Sequence, residues 1–361
     1  MVVLCASAFP QSPPQSTLER AVTLTREKRY SESSAILKGV PEPVEIRQRI
    51  AYHRLKAANA SGVGDHAAAV HEISLALSLA PSDPSLLVAT AMAEFQADRL
   101  DDALKHAVKA GNDPTAKAVI GDIQEKLGNF PEASIAYREA VRLAPSQEQY
   151  RITLAYDLIR HQDFRAAMEL LQQSKPLFPR SAKLRTLLGI AQYSYGDTAE
   201  ALPSLIDAIA VDPSAEPAYR CLAQILLQSS AAAPPAATER LCKWNSTVCS
   251  ALKLRLARQT HDAAMQKDAI AGLQRAPNDP VARCELARAF EWTDRIPEAR
   301  TEMEACLQFE PSPQNHYRMA LIYKRLGLNE LSQREMDLRG QVLEKMSEET
   351  ALGLSALKTL Q

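Results

Sequence analysis

Cysteine and histidine are the residues of this chain best suited to chemistry, and it carries six of one and seven of the other. Cys242 and Cys249 flank Lys-Trp-Asn-Ser-Thr, which reads as a turn between helices, so their thiols can approach across a hairpin. Cys284 and Cys306 fall on two successive helical segments and form a second candidate pair. A disulfide at either place needs an oxidising compartment and Cα atoms within about 7 Å of each other. The alternative is that these thiols are small apolar core residues, as free cysteines often are. Spacing does not decide between the two, and setting Cys5 aside leaves an odd number. His66 and His71 stand five apart, off the shared-face spacing of helical metal ligands. The remaining histidines are scattered; His53, His106 and His316 read as surface or half-buried packing, and no metal is expected. Gly62-Val-Gly64 lacks the later glycine and lysine of a phosphate loop, and no nucleophile elbow is present. With no positioned acid, base or nucleophile, the chain reads as non-catalytic, and no cofactor is assigned.

Composition narrows the partners. Forty-two basic and 43 acidic residues in 361 leave a net charge of −1, which gives no electrostatic case for nucleic acid. Arg47, Arg49, Arg54 and Lys56, and again Lys253, Arg255 and Arg258, read as solvated helix faces. No internal stretch is apolar for the roughly 18 residues a membrane span needs. Residues 1–10 resemble the end of a secretory signal, with Ala6-Ser7-Ala8 as a cleavage box and residues 11–16 as a spacer. The positive start of such a signal is missing. Export, to a bacterial periplasm, is the expectation, and a cytoplasmic chain with a frayed terminus is the alternative. A lipid anchor on Cys5 is disfavoured by the bulky Leu4 before it.

The elements that would position any site are set by a repeat. Pro145, Pro179 and Pro213 stand 34 residues apart, and three further rows keep the step: Gly121/Ala155/Gly189/Ala223, Ala133/Ala167/Ala201 and Tyr137/Leu171/Leu205. Apolar residues recur at helical spacing twice per unit, which predicts an all-α stack of helix-turn-helix units. Gly and Ala inside the first helix let the second approach closely, and proline ends the second helix. Further copies are predicted at 16–43, 50–83, 84–113, 280–313 and 314–347. The 84–113 copy is four residues short, so its second helix is expected to lose a turn. Ser-Ser-Ala-Ala-Ala-Pro-Pro-Ala-Ala at 229–237 reads as an inserted loop, followed by a stub of helix at 238–245 and a new pair at 247–276. That pair puts Lys253 where a small residue is expected. The organisation predicted is a terminal segment 1–15, an array 16–228, an insertion 229–246, a second array 247–347 and a capping tail 348–361.

Leu154-Ala155, Phe164, Ala167 and Pro179, then Leu188-Gly189, Gly196-Asp197, Ala201 and Pro213, resemble the tetratricopeptide repeat family. The resemblance implies a right-handed superhelix of about nine to ten helical pairs whose first helices line a groove for a protein or peptide. Carried over by position, the groove would include Ile152, Tyr156, Ile159, Thr186, Ile190, Tyr193, Arg220, Gln224 and Leu227. The family's chaperone-binding members clamp a C-terminal carboxylate with lysine, asparagine and arginine. The corresponding positions here are mostly apolar, hydroxyl or acidic, so that function is not expected. The leading expectation is a non-catalytic scaffold for a peptide or protein segment. The alternatives are an exported structural or assembly component of a cell-envelope or secretion complex, and an enzyme or carrier subunit with its site at 229–246.

Overall fold

The computed structural model describes residues 17–228 and 234–348. Twenty α-helices and no strand occur among them. Two compact units divide between Tyr150 and Arg151. The first contains α1 (Thr17–Arg26), α2 (Tyr30–Leu37), α3 (Ile46–Gly62), α4 (His66–Leu79), α5 (Pro84–Gln96), α6 (Leu100–Lys109), α7 (Pro114–Lys126) and α8 (Phe130–Leu143). The division falls inside α9 (Glu148–Arg160). The second unit continues through α10 (Phe164–Ser174), α11 (Ala182–Tyr195), α12 (Thr198–Val211), α13 (Glu216–Gln228), α14 (Pro235–Trp244), α15 (Ser246–Thr260) and α16 (Ala263–Gln274). It ends with α17 (Pro280–Trp292), α18 (Ile296–Phe309), α19 (Pro313–Arg325) and α20 (Asn329–Glu348).

Within each unit, helices pack on their chain neighbours, α3 on α4, α7 on α8, α11 on α12, α17 on α18 and α19 on α20. First helices also touch the next first helix, α3 to α5, α5 to α7, α11 to α13 and α15 to α17. This is the contact pattern of a stacked helix-turn-helix solenoid, in which each pair buries its faces against the next.

Local chemistry starts and stops the helices. Asp83, Asp113 and Asp279 cap α5, α7 and α17 through side-chain oxygens, and a proline follows each at the first helical position. Between the two helices of nine pairs one residue takes a left-handed conformation: Lys28, Gly64, Asp98, Gly128, Gln162, Gly196, His261, Asp294 and Gly327. Seven residues before them stand Ala21, Ala57, Ala91, Gly121, Ala155, Gly189, Leu254, Ala287 and Ala320. Leu254 alone of these is large. The small residue sits where the second helix presses in: a Cβ on Gly189 would come 2.7 Å from Leu205 Cγ, and one on Gly121 would collide with the Tyr137 ring. The facing alanines Ala133, Ala167 and Ala201 are fully buried. Leu171 and Leu205 are buried beside them, worth about 1.5–3 kcal/mol each.

As expected, α6 is short, with 10 residues against 14 in α8. The insertion departs from expectation: its helix starts at Pro235, not at 238, because Pro234 supplies the N-cap and Pro235 occupies the first position, where its missing N–H costs nothing. Residues 1–16, with the candidate signal box and Cys5, lie outside the described residues, as do 229–233 and the tail from 349. No described helix is long and apolar enough to cross a membrane.

Gly189→Ala should lower stability by about 1–3 kcal/mol through overpacking, although helix propensity alone would add about 1 kcal/mol. Gly340→Ala in α20, where a Cβ meets nothing within 4 Å, should show only the propensity gain. Urea denaturation of both variants reads the difference in sign.

Candidate functional site

The first helices of the second unit hold the positions expected to line a groove. Ile152, Thr186 and Ile190 are buried, and Thr186 Oγ1 donates to Ala182 O at 2.8 Å. They form a floor. Tyr156, Tyr193 and Gln224 are half-buried, and Arg220 is exposed with its Nη2 2.5 Å from Glu216 Oε1 one turn earlier. Lys183 Nζ stands 5.7 Å from the Tyr156 ring centre, within cation–π range. Burial pushes the Tyr156 phenol up to about 12, with a further contribution from Cys221, and burial also raises Tyr193. Tyr156 Oη, Gln192 Oε1 and Ser194 Oγ are closed to solvent and have no hydrogen-bond partner among the described residues. Three polar atoms with unmet bonding capacity thus lie on α9 and α11 beside the tyrosines.

Both candidate cysteine pairs come together. Cys242 and Cys249 form a disulfide with Cα atoms 4.4 Å apart, tying α14 to α15. Cys284 and Cys306 form another, at 4.8 Å, between α17 and α18. Cys221 is a buried free thiol whose pKa burial pushes up to about 12, which makes it unreactive at neutral pH. The helix of the insertion is further anchored by Trp244, which stacks on Tyr219 with ring centres 5.3 Å apart, and by buried Ala237 and Leu241.

Three of the histidines pair with glutamates. His53 Nδ1 lies 2.8 Å from Glu72 Oε2, His106 Nδ1 2.7 Å from Glu94 Oε2, and His316 Nδ1 2.7 Å from Glu335 Oε2. Burial alone would raise the Glu72 carboxyl, but hydrogen bonds from Lys56 and His53 outweigh it and hold the carboxyl below its usual range.

Sequence reasoning missed one group. It placed Arg255 with Lys253 and Arg258 on a solvated face, yet Arg255 is half-buried and donates from Nη1 to Leu226 O at 2.7 Å. The left-handed turn at His261 carries the signal. Counting seven back puts Leu254, not Lys253, in the small-residue position, and the next residue in the groove row is Arg255.

Residues 115–147 match the tetratricopeptide repeat family. No curated protein matches. Similar solved structures include MamA, with 15% identity and TM-score 0.39 over 45% of this chain and 92% of that one. YrrB, described as a TPR protein with an unusual peptide-binding site, has 17% identity and TM-score 0.39, covering 56% and 97%. PilF of Pseudomonas aeruginosa has 13% identity and TM-score 0.40, covering 56% and 92%.

The Cys242→Ser/Cys249→Ser variant should lose about 2–3 kcal/mol of stability, and non-reducing peptide mapping of the wild type should recover the two cysteines in one linked species. For Glu72, a carboxyl held low in the fold adds stability above the ordinary carboxylate range and loses it as pH falls through that range. Acid titration followed by circular dichroism should therefore show a shallower loss between about pH 5 and 3 in Glu72→Gln than in the wild type.

Proposed function

We propose that this tetratricopeptide repeat protein is a non-catalytic scaffold that holds a peptide or protein segment along the first helices α9, α11 and α13. The observation that carries the reading is the pair of half-exposed tyrosine rings on successive first helices, Tyr156 on α9 and Tyr193 on α11, with Lys183 Nζ 5.7 Å from the Tyr156 ring centre. The rings supply rigid contact area beside the buried Ile152, Thr186 and Ile190, the mixture that protein-binding surfaces favour. Arg220 and Gln224 border this stretch on α13 and would engage polar groups of the same segment.

The two disulfides support a second element of the reading, that the protein works in an oxidising compartment, as an exported or periplasmic chain does. That location suits incorporation into a cell-envelope or secretion assembly.

Cross-linking and affinity capture from the native host, with wild type beside Tyr156→Ala/Tyr193→Ala, tests the groove. Loss of a specific partner band, corresponding to about 2 kcal/mol or more, is expected at unchanged helical content. Identical bands from both proteins would move the interface off this face.

A further inference from the structure

Four arginines converge on the first helices of the last three pairs of the second unit. Arg255 and Arg258 stand on α15, Arg288 on α17 and Arg318 on α19. They are bound into one lateral network. Arg255 reaches back to the α13 carbonyl of Leu226, and the Arg258 guanidinium stacks on the Trp292 ring of α17, 3.9 Å from its centre. Arg288 Nη1 lies 2.5 Å from Glu285 Oε1, its Nη2 lies 3.5 Å from Asn315 Oδ1 of α19, and Arg318 Nη1 lies 2.9 Å from Glu291 Oε2 of α17. Burial lowers the Arg255 pKa; Glu285 opposes that effect, while Arg288, Arg318 and Arg258 add to it, so Arg255 stands within electrostatic reach of the other three.

The acids lie beneath the bases. Glu285 is 2% exposed against 17% for Arg288, and Glu291 is 16% exposed against 33% for Arg318. Glu310, at the end of α18, is a third carboxylate within the influence of Arg288. Arg258 is exposed, and no ion pair to it is found among the described residues. The surface offered outward is therefore guanidinium, pre-positioned by stacking and by the carboxylates below it. Among the described residues, Arg288 Nε also lacks a hydrogen-bond partner, as does Glu285 Oε2.

We propose that this arginine face docks an acidic peptide segment, whose aspartate and glutamate side chains pair with Arg255, Arg258, Arg288 and Arg318. The planar guanidinium fork matches a carboxylate in two parallel bonds, and fixing the fork in advance reduces the entropy lost on pairing. A nucleic acid fits less well, because the chain as a whole carries a net charge of −1 and has no basic excess to draw a polyanion. The inference rests on the reading that first helices take a peptide, but it concerns α15 to α19 and different side chains.

The test is fluorescence anisotropy of the full chain with fluorescein-labelled octaglutamate, with octaglutamine as the neutral control, at low and moderate salt. Octaglutamate should bind, octaglutamine should not, and salt should weaken the complex. Arg258→Glu should reduce affinity at least tenfold, with circular dichroism verifying the fold. Lys253→Glu makes the same charge change on the opposite side of α15 and should leave affinity as in wild type. Equal losses in the two variants, or no octaglutamate binding, would overturn the proposal. So would displacement of the peptide by inorganic phosphate or by phosphatidylglycerol vesicles at lower concentration than by unlabelled octaglutamate. Tyr156→Ala/Tyr193→Ala should bind octaglutamate normally, so failure of the tyrosine groove and failure of the arginine face give different results.

Discussion

Gly189 meets Leu205 where α11 packs on α12, and Gly121 meets Tyr137 where α7 packs on α8. At each point a side chain of the second helix fills the space that a Cβ on the first would occupy. The backbones can then come close enough for the alanine row, Ala133, Ala167 and Ala201, to be sealed from water. Close approach within a pair also fixes how the first helix is turned about its own axis. Tyr156, Arg255 and Arg288 stand one residue after the contact residue and Tyr193 four after it, so the identity of a residue buried between helices decides which side chains flank the contact.

Much of this was legible because the packing constraint repeats. The small residue, the facing alanine and the terminating proline each recur at a 34-residue step, and the shortened α6 followed from counting between Ala91 and Gly121. Reading failed where the step was interrupted. Beyond the insertion there was no row to count along, and Lys253 was assigned the position that Leu254 fills. A displacement of one residue rotates a helix by about 100°, enough to turn Arg255 from an apparently solvated charge into a half-buried one. The start of α14 at Pro235 was missed for a different reason, since a proline pair breaks a helix from inside but begins one well. Periodicity assigns Ile152, Tyr156, Thr186, Ile190, Tyr193, Arg220 and Gln224 to first helices, and they lie on α9, α11 and α13. That Ile152, Thr186 and Ile190 are sealed while Tyr156 and Tyr193 are not depends on side-chain length and on the neighbouring helix, neither of which a spacing encodes.

The histidines illustrate how polar residues serve the same architecture. His53–Glu72, Arg283–Glu302 and His316–Glu335 are all separated by 19 residues and link the first helix of a pair to the second. Each places a base on α3, α17 or α19 against a largely buried carboxylate. Removing one partner would leave the other charge with little solvent, which is why such pairs lock a relative helix position more than they add net stability. What looked in the sequence like scattered titratable residues is a second, polar periodicity laid over the apolar one.

The two length changes in the chain differ in what they demand. Four residues missing from the 84–113 unit remove close to one turn from the far end of α6, and a left-handed Gly111 reconnects the chain to α7. Beyond that turn, α7 still sets Gly121 against the Tyr137 ring of α8. The extra residues around 229–237 fall instead between the two members of a pair, and there the chain carries a cross-link from Cys242 to Cys249 and a stacked Tyr219–Trp244 contact. A length change at the junction between pairs therefore leaves the contact inside the next pair intact. A change within a pair should survive only alongside new anchoring residues of this kind.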